Sequence, residues 1–262
     1  MIPLTLVRNA VGMGIVYRDD VVAQVGNASD IETANQAVEE LVRDDLLVIM
    51  GEIGHQFLID SELLANMEVD ARRWLEAFHR RHPLRPGMEL EEFRTMTGFS
   101  ARQADALVAT LEARNVLVRE GSHLRLPTYR IVLAGESQRL ADAFLDALRL
   151  HPHDPPSPHE SGVDHELLLA LEHLGRVVRL SEAMAFDPLA HASLTETLRD
   201  YLAKHGTISL AEFRDLVGTT RKYAQPLLED FDRRRLTRRV GEVRVPGPAM
   251  TLPSTAMNRE DA

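Results

Sequence analysis

A pattern of strand, turn and strand occurs four times in this chain, each time directly after a stretch whose apolar residues have helical spacing. The first strands begin near Leu46, Val116, Arg176 and Leu236, so successive copies lie 70, 60 and 60 residues apart. A repeat of this length indicates tandem modules, each a small helical domain that ends in a β-hairpin. Because a module of roughly 60 residues buries only a marginal core, we expect neighbouring modules to pack in pairs or to share interfaces.

The helical part of the pattern is clearest in the fourth copy, residues 218–245. Thr219 and Thr220 are residue types that begin helices. Behind them, apolar side chains fall on one face at helical spacing, namely Tyr223, Leu227, Leu228 and Phe231. The pattern predicts a helix with one buried side and one free side.

A hairpin follows this helix without a gap. Residues 237–240 and 243–245 are rich in β-branched types and are joined by Gly241 and Glu242, a plausible tight turn. A helix followed at once by a two-stranded hairpin is typical of a winged helix. The sequence therefore predicts a mainly α protein with small β-hairpins (α+β), built as four tandem winged-helix modules in an extended array.

The four predicted modules differ in how complete their helices are. The first has a weak opening helix near residues 1–11 and is expected to be incomplete at its start, and the third has a shortened or lost middle helix because a proline-rich loop, HPHDPPSPHESG, occupies its place. The sequence from Pro246 onward has low apolar density and three prolines, so we expect the tail to be disordered. The predicted ranges are 1–66, 67–134, 135–187 and 188–247 for the modules and 248–262 for the tail.

Charge singles out the fourth module. The chain has a formal net charge of -10, yet residues 218–245 hold eight basic and four acidic residues. Arg221 and Lys222 lie in the first turn of the helix, where the helix dipole favours carboxylates, and Arg238, Arg239 and Arg244 are expected to project from the strands. A localised basic surface on an acidic chain indicates contact with a polyanion; the alternative is a solvated, charged helix end.

Several other classes are disfavoured by the sequence. There is no cysteine, no apolar run near 18 residues and no signal-peptide pattern, so we expect a cytoplasmic protein with no membrane partner. No GxxxxGK[ST], NKxD or GxSxG motif occurs, and Gly12–Gly14 is interpreted as a turn, so we expect no enzyme activity. The histidines of the proline-rich loop lack regular ligand spacing and predict a linker rather than a metal site; they are His151, His153, His159 and His165.

Two segments carry a resemblance to a known family. Residues 218–245 resemble the last winged helix of bacterial selenocysteine-specific translation elongation factors, and Leu75–Arg94 is similar to the opening of the second winged helix in that family. In these factors an N-terminal part related to elongation factor Tu binds GTP and selenocysteinyl-tRNA. Four winged helices then reach an mRNA hairpin beside a UGA codon.

The resemblance implies a function and a set of partners. This chain would be the arm that binds the selenocysteine insertion hairpin of selenoprotein mRNA at the ribosome, for UGA recoding in translation. GTP and selenocysteinyl-tRNA would bind only through the N-terminal part that this chain lacks. We therefore expect no cofactor here, and a monomer.

Site residues follow from the shape of RNA and from the resemblance. The major groove of A-form RNA is too deep and narrow for an inserted helix, so loop bases and backbone are the accessible features. We expect Arg221 and Lys222 to contact phosphates, assisted by backbone amides near Thr219 and Thr220. Tyr223 fits a core position and a base-stacking platform equally well. The resemblance implies a pocket for a flipped-out loop base, formed by Arg221, Tyr223, Arg239, Val240 and Gly241.

Two other classes of protein use winged helices and stay open at this point. A DNA-binding transcriptional regulator has a basic recognition helix, but it usually dimerises to match two half-sites. A protein-interaction scaffold would account for the acidic parts of the chain. Comparing binding to an RNA hairpin and to a DNA duplex distinguishes these classes.

Overall fold

A computed structural model describes residues 2–12, 14–28 and 30–250 of the protein. The chain divides between Ile131 and Val132 into two compact units. Within the described ranges, every helix is too short or too polar to cross a lipid bilayer.

The first module of unit 1 has all the elements of a winged helix, so the expectation of an incomplete start was wrong. Its sheet has the order β1-β3-β2 and is antiparallel. The third helix begins at the N-cap Asp30, whose carboxylate accepts the Thr33 N–H at 2.8 Å. The elements are α1 Ile2–Val11, β1 Ile15–Tyr17, α2 Arg18–Gly26, α3 Ile31–Arg43, β2 Leu47–Met50 and β3 Phe57–Asp60.

The second module begins earlier than predicted. Helix α4 runs without interruption from Ser61 to Arg81, so the predicted boundary after residue 66 falls inside it. Neither glycine nor proline occurs in this stretch, and Leu64, Ala71 and Leu75 on one helix face are all fully buried. The elements are α4 Ser61–Arg81, β4 Met88–Glu89, α5 Leu90–Thr97, α6 Ala101–Ala113, β5 Val118–Glu120 and β6 His123–Arg125, with sheet order β4-β6-β5.

The two modules of unit 1 share a core. Ile15 and Phe57 of the first module lie in one buried cluster with Leu107 of the second. The side-chain amide of Gln103, in the first turn of α6, donates to the carbonyl oxygen of Ile15 at 2.5 Å. Pairwise packing of modules was expected from their small size.

The third module, which opens unit 2, is reduced as predicted. Its middle helix is replaced by a single 3-10 turn, His159–Ser161, and its sheet has only two strands. Pro155 and Pro158 of the proline-rich loop are buried. The elements are α7 Gly135–Leu150, α8 His165–His173, β7 Val178–Ser181 and β8 Met184–Phe186.

The fourth module continues further than predicted. Met250 is only 8% exposed and packs on the module core, and the Ala249 N–H donates to the carbonyl oxygen of Arg235 at 3.0 Å. Residues 248–250 are therefore folded, and the remainder of the predicted disordered tail lies outside the described residues. The elements are α9 Pro188–His205, β9 Ile208–Ser209, α10 Leu210–Val217, α11 Arg221–Arg233, β10 Thr237–Val240 and β11 Val243–Pro246, with sheet order β10-β11-β9.

One connection is repeated in all four modules. Two or three residues before the first hairpin strand, the chain has a left-handed backbone, with φ of 56°, 55°, 67° and 60° at Asp45, Asn115, Gly175 and Arg235. In each copy the next residue donates its N–H to a carbonyl oxygen five residues back at 2.9 Å, a bond that ends the helix. These four positions reproduce the separations of 70, 60 and 60 residues seen in the sequence.

Candidate nucleic-acid interface

The start of α11 differs from the starts of the corresponding helices in modules one and three. Asp30 and Asp164 each cap their helix by accepting a backbone N–H three residues on, at 2.8 Å. Thr220, the N-cap of α11, has the extended backbone of a cap, but its side chain makes no capping hydrogen bond. No acidic residue lies in the first turn of α11. The positive end of this helix is therefore left open to an external acceptor.

Two cations stand at this open end. Arg221 and Lys222 are exposed, and neither forms a salt bridge with any described residue. The Lys222 Nζ lies 4.9 Å from the centre of the Tyr223 ring and 3.3 Å from its hydroxyl oxygen. Tyr223 is half-buried against the module core, so it joins the core with part of its side chain and presents the rest beside Lys222.

The hairpin adds a second set of exposed groups. Arg238, Arg239, Val240 and Gly241 are all exposed, and Val240 keeps 44% of its surface accessible. The Arg239 Nε donates to the carbonyl oxygen of Gly241 at 3.0 Å, and its guanidinium lies 3.9 Å from Glu242. Gly241 turns the chain with φ of 60°. The tip therefore combines positive charge with one exposed apolar side chain.

Arg244 does not belong to this surface, and the expectation that it projects from its strand for RNA contact was wrong. It is only 5% exposed, and its Nε donates to the Asp232 carboxylate at 3.1 Å. Thr237 donates its hydroxyl proton to the other oxygen of Asp232 at 2.6 Å. Asp232 lies in the last turn of α11, so this buried pair joins the helix to the hairpin.

The arginines that end α11 are also occupied within the protein. Asp230 is 1% exposed. Its carboxylate accepts hydrogen bonds from the Arg234 Nε at 2.7 Å and the His191 Nε2 at 3.0 Å, and a third from Arg233. Burial alone would raise the pKa of the Asp230 carboxyl. Hydrogen bonds from His191 and Arg234, together with the charge of Arg234, outweigh burial and hold that pKa below its ordinary value.

A residue that sequence reasoning missed also reaches the start of α11. The Thr219 hydroxyl donates to the carbonyl oxygen of His153 in the proline-rich loop at 2.5 Å. Thr219 is thus held by the third module rather than capping α11. The loss of a middle helix from the third module was the available signal, because it leaves a long loop to be placed.

Among the described residues, no group of three or more His, Cys, Asp or Glu side chains is arranged to hold a metal ion.

Comparison with known proteins identifies the modules. Family models described as elongation factor SelB, winged helix, match residues 73–126 and residues 200–245. Both matched segments are similar to SelB winged helices. The resemblance drawn from residues 218–245 and Leu75–Arg94 is confirmed, and so is the α+β fold of tandem winged-helix modules.

A relative of known function covers most of this SelB-like chain. The selenocysteine-specific elongation factor of Desulfomicrobium baculatum is 25% identical over 227 residues, which is 79% of this chain and 36% of the relative. The chain therefore spans little more than a third of the length of that factor.

Two solved structures are similar in part. A bacterial selenocysteine-specific elongation factor EF-Sec has 17% identity and a TM-score of 0.42, over 76% of this chain and 32% of its own. The mRNA-binding domain of SelB from E. coli, solved with SECIS RNA, has 24% identity and a TM-score of 0.34, over 44% of this chain and 99% of its own. The similarity to SelB winged helices therefore rests on the two family matches and not on these two structures.

Proposed function

We propose that this chain is the mRNA-binding arm of a selenocysteine-specific elongation factor and that its fourth module binds the selenocysteine insertion hairpin. The observation that carries the proposal is the pair Arg221 and Lys222, exposed at the uncapped start of α11 and without a salt bridge to any residue that the structure describes. This helix lies within a SelB winged helix, residues 200–245. Recognition of that hairpin is the step by which UGA would be recoded during translation.

The geometry suits a phosphate better than a neutral ligand. The free amides of the first turn and the helix dipole both favour an anion. Because Arg221 and Lys222 have no acidic partner within the described part of the chain, a phosphate gains their charge without breaking an ion pair there. The same helix start lacks the acidic residue and the side-chain cap that would compete for this position.

The hairpin supplies groups for a loop base next to the phosphate contacts. Arg238 and Arg239 are exposed for further phosphate contacts, and Val240 and the exposed part of Tyr223 offer apolar surface for a base. Stacking on an aromatic side chain tolerates any base, so positional specificity would come from polar groups around the hairpin turn at Gly241. Thr220 contributes its backbone amide rather than a capping side chain, whereas the Thr219 N–H already donates to the carbonyl oxygen of Arg214 at 3.1 Å.

The other partners belong to the complete factor under this proposal. GTP and selenocysteinyl-tRNA would bind through an N-terminal part, and the arm would need no cofactor and no catalytic group of its own. It would act as a monomer at the ribosome, in the cytoplasm. The first three modules would then place the fourth near the mRNA.

The test is binding of the full chain to a bacterial selenoprotein mRNA hairpin over a series of salt concentrations. We expect Arg221→Ala and Lys222→Ala each to weaken binding by roughly 1 to 3 kcal/mol and to lower the salt dependence by about one ion. Arg139→Ala, which removes an exposed arginine from α7, is the matched control and should leave affinity unchanged. A DNA duplex bound as tightly as the hairpin, with no effect of either substitution, would contradict the proposal and favour a transcriptional regulator.

A further inference from the structure

The second module carries a basic surface that the hairpin site does not use. Residues 1–60 have three arginines against ten carboxylates, and residues 132–187 have four against ten. Residues 61–131 instead have eleven arginines against ten carboxylates, and no lysine. Positive charge in this acidic chain is therefore not confined to the fourth module.

The charge of the second module is concentrated in two segments. Residues 77–88 and 121–131 together contain five arginines, three histidines and no carboxylate. The segments lie side by side, because β4 pairs with β6 with Met88 opposite Leu124. Gly87 allows this close approach, since a Cβ placed there would lie 2.5 Å from the Leu124 carbonyl oxygen. The fold thus brings two carboxylate-free segments together.

A ring of contacts around Tyr129 fixes the outer part of both segments. The Tyr129 hydroxyl donates a shared hydrogen bond to two carbonyl oxygens, that of Pro83 at 2.8 Å and that of Arg85 at 3.0 Å. Its ring is stacked on His79 with 3.5 Å between centroids and 7° between planes. The His79 Nε2 in turn accepts the Leu126 N–H at 3.2 Å. These contacts hold Arg85 and Arg130 next to the end of α4.

Four exposed arginines define what we call the α4 surface, namely Arg80, Arg81, Arg85 and Arg130. The charge of two of them is weakly opposed: Arg80 lies 4.0 Å from Glu76, and Arg130 donates to the carbonyl oxygens of Pro127 and Tyr129. The fifth arginine of the two segments, Arg125, is paired with Glu120 and is not included. Cations at the C-terminus of a helix satisfy the dipole, which explains Arg80 and Arg81. It does not explain Arg85 and Arg130, which lie outside the helix.

We propose that the α4 surface is a second RNA contact, which binds the phosphate backbone of a structured RNA by charge and without sequence preference. Arginine suits this role because its planar guanidinium donates two parallel hydrogen bonds to a phosphate and remains charged. The site is separate from residues 200–245 and does not depend on hairpin recognition there. RNA is favoured over an anionic membrane because the surface belongs to a SelB winged helix, residues 73–126, extended by Arg130.

The experiment measures binding of the full chain to a short RNA duplex of mixed sequence that contains no hairpin loop. The combined variant Arg80→Gln, Arg81→Gln and Arg130→Gln should weaken duplex binding by about tenfold at low salt and reduce its salt dependence. The control variant Arg43→Gln, Arg139→Gln and Arg176→Gln makes the same change in net charge on exposed arginines of the acidic modules and should change affinity less than about twofold. Thermal unfolding of both variants verifies that they are folded.

Two further measurements distinguish RNA binding at the α4 surface from binding at the hairpin site and from binding to a lipid surface. Duplex binding should survive the double substitution Arg221→Ala and Lys222→Ala; loss of duplex binding there, with no effect of the α4 variant, would overturn the inference. Vesicles of phosphatidylserine and phosphatidylcholine test the membrane alternative. A variant that loses vesicle binding but keeps full duplex affinity would likewise overturn it.

Discussion

The hydroxyl of Thr219 donates a hydrogen bond to the carbonyl oxygen of His153, 66 residues earlier in the chain, over 2.5 Å. It therefore ties the turn before α11 to a loop of the neighbouring module. That loop is itself anchored by the buried Pro155 and Pro158. The backbone amides proposed to receive a phosphate are thus held in place before RNA arrives, which lowers the entropic cost of binding.

Replacing Thr219 by valine tests this coupling, because valine keeps the shape and removes the hydroxyl. We expect Thr219→Val to weaken hairpin binding by roughly 0.5 to 1.5 kcal/mol, the net value of one hydrogen bond. Thr220→Val is the control, since the Thr220 side chain makes no capping bond. Isothermal titration calorimetry of both variants measures the difference, and equal affinities would show that the tie to His153 has no role in binding.

Capping α11 should separate stability from function. In Thr220→Asp the new carboxylate accepts a first-turn amide and complements the dipole, so the free energy of unfolding should rise by about 0.5 to 1 kcal/mol. The same carboxylate occupies the anion position and repels phosphate, so hairpin affinity should fall at least about tenfold. Urea unfolding and hairpin titration measure the two effects.

Thr220→Asn provides the uncharged control, because asparagine caps a helix without adding negative charge. It should stabilise the protein to a similar degree and weaken RNA binding less than aspartate does. If Thr220→Asp binds the hairpin as tightly as the natural protein, the start of α11 is not the phosphate site.

Local signals in the sequence predicted most of the helices and hairpins. The ends of helices α3, Ile31–Arg43, and α9, Pro188–His205, follow local signals, because capping residues, prolines and glycines act within a few residues of the helix ends. The boundary after residue 66 failed for the opposite reason: α4 carries no breaker, and its first turns pack in the core shared by two modules.

The burial and the ion-pair partners of individual arginines could not be predicted in the same way. Arg244 is buried and paired with Asp232, and Asp230, which pairs with the arginines at the end of α11, is hydrogen-bonded to His191, 39 residues away. Such pairs depend on tertiary packing, which the spacing of charges along the chain does not reveal. The sequence singled out Arg221 and Lys222 as candidates, because a cation in the first turn of a helix is unfavourable on local grounds alone.

The left-handed residue at the end of α11 gives a stability prediction. Arg235 has φ of 60°, a conformation that costs a residue with a side chain roughly 1 kcal/mol and costs glycine nothing, and Gly175 holds the same place in the third module. We expect Arg235→Gly to raise the free energy of unfolding by up to about 1 kcal/mol. Arg235→Ala, which removes the same charge and keeps the strain, is the control and should not stabilise. Urea denaturation that ranks the two variants equally would contradict this explanation.

His79 predicts how the stability of unit 1 depends on pH. Burial, and secondarily the nearby charge of Arg125, lower the pKa of His79 from 6.5 to about 4. Between these values the unfolded chain binds a proton at this residue and the folded protein does not. The free energy of unfolding should therefore be constant above about pH 6.5 and fall by at most about 3 kcal/mol as the pH drops toward 4.

The single tryptophan of the chain, Trp74, lies on the same helix as His79 and reports this unfolding by its fluorescence. Urea unfolding followed at Trp74 between pH 4.5 and 7.5 should show the fall in the natural protein and a weaker fall in His79→Gln, whose side chain has no proton to gain in this range. Because carboxylates also titrate near pH 4, the difference between the two proteins is the quantity that isolates His79. Parallel curves would mean that His79 is protonated as readily in the folded protein as in the unfolded chain, which the hydrogen bond from the Leu126 N–H to its Nε2 opposes.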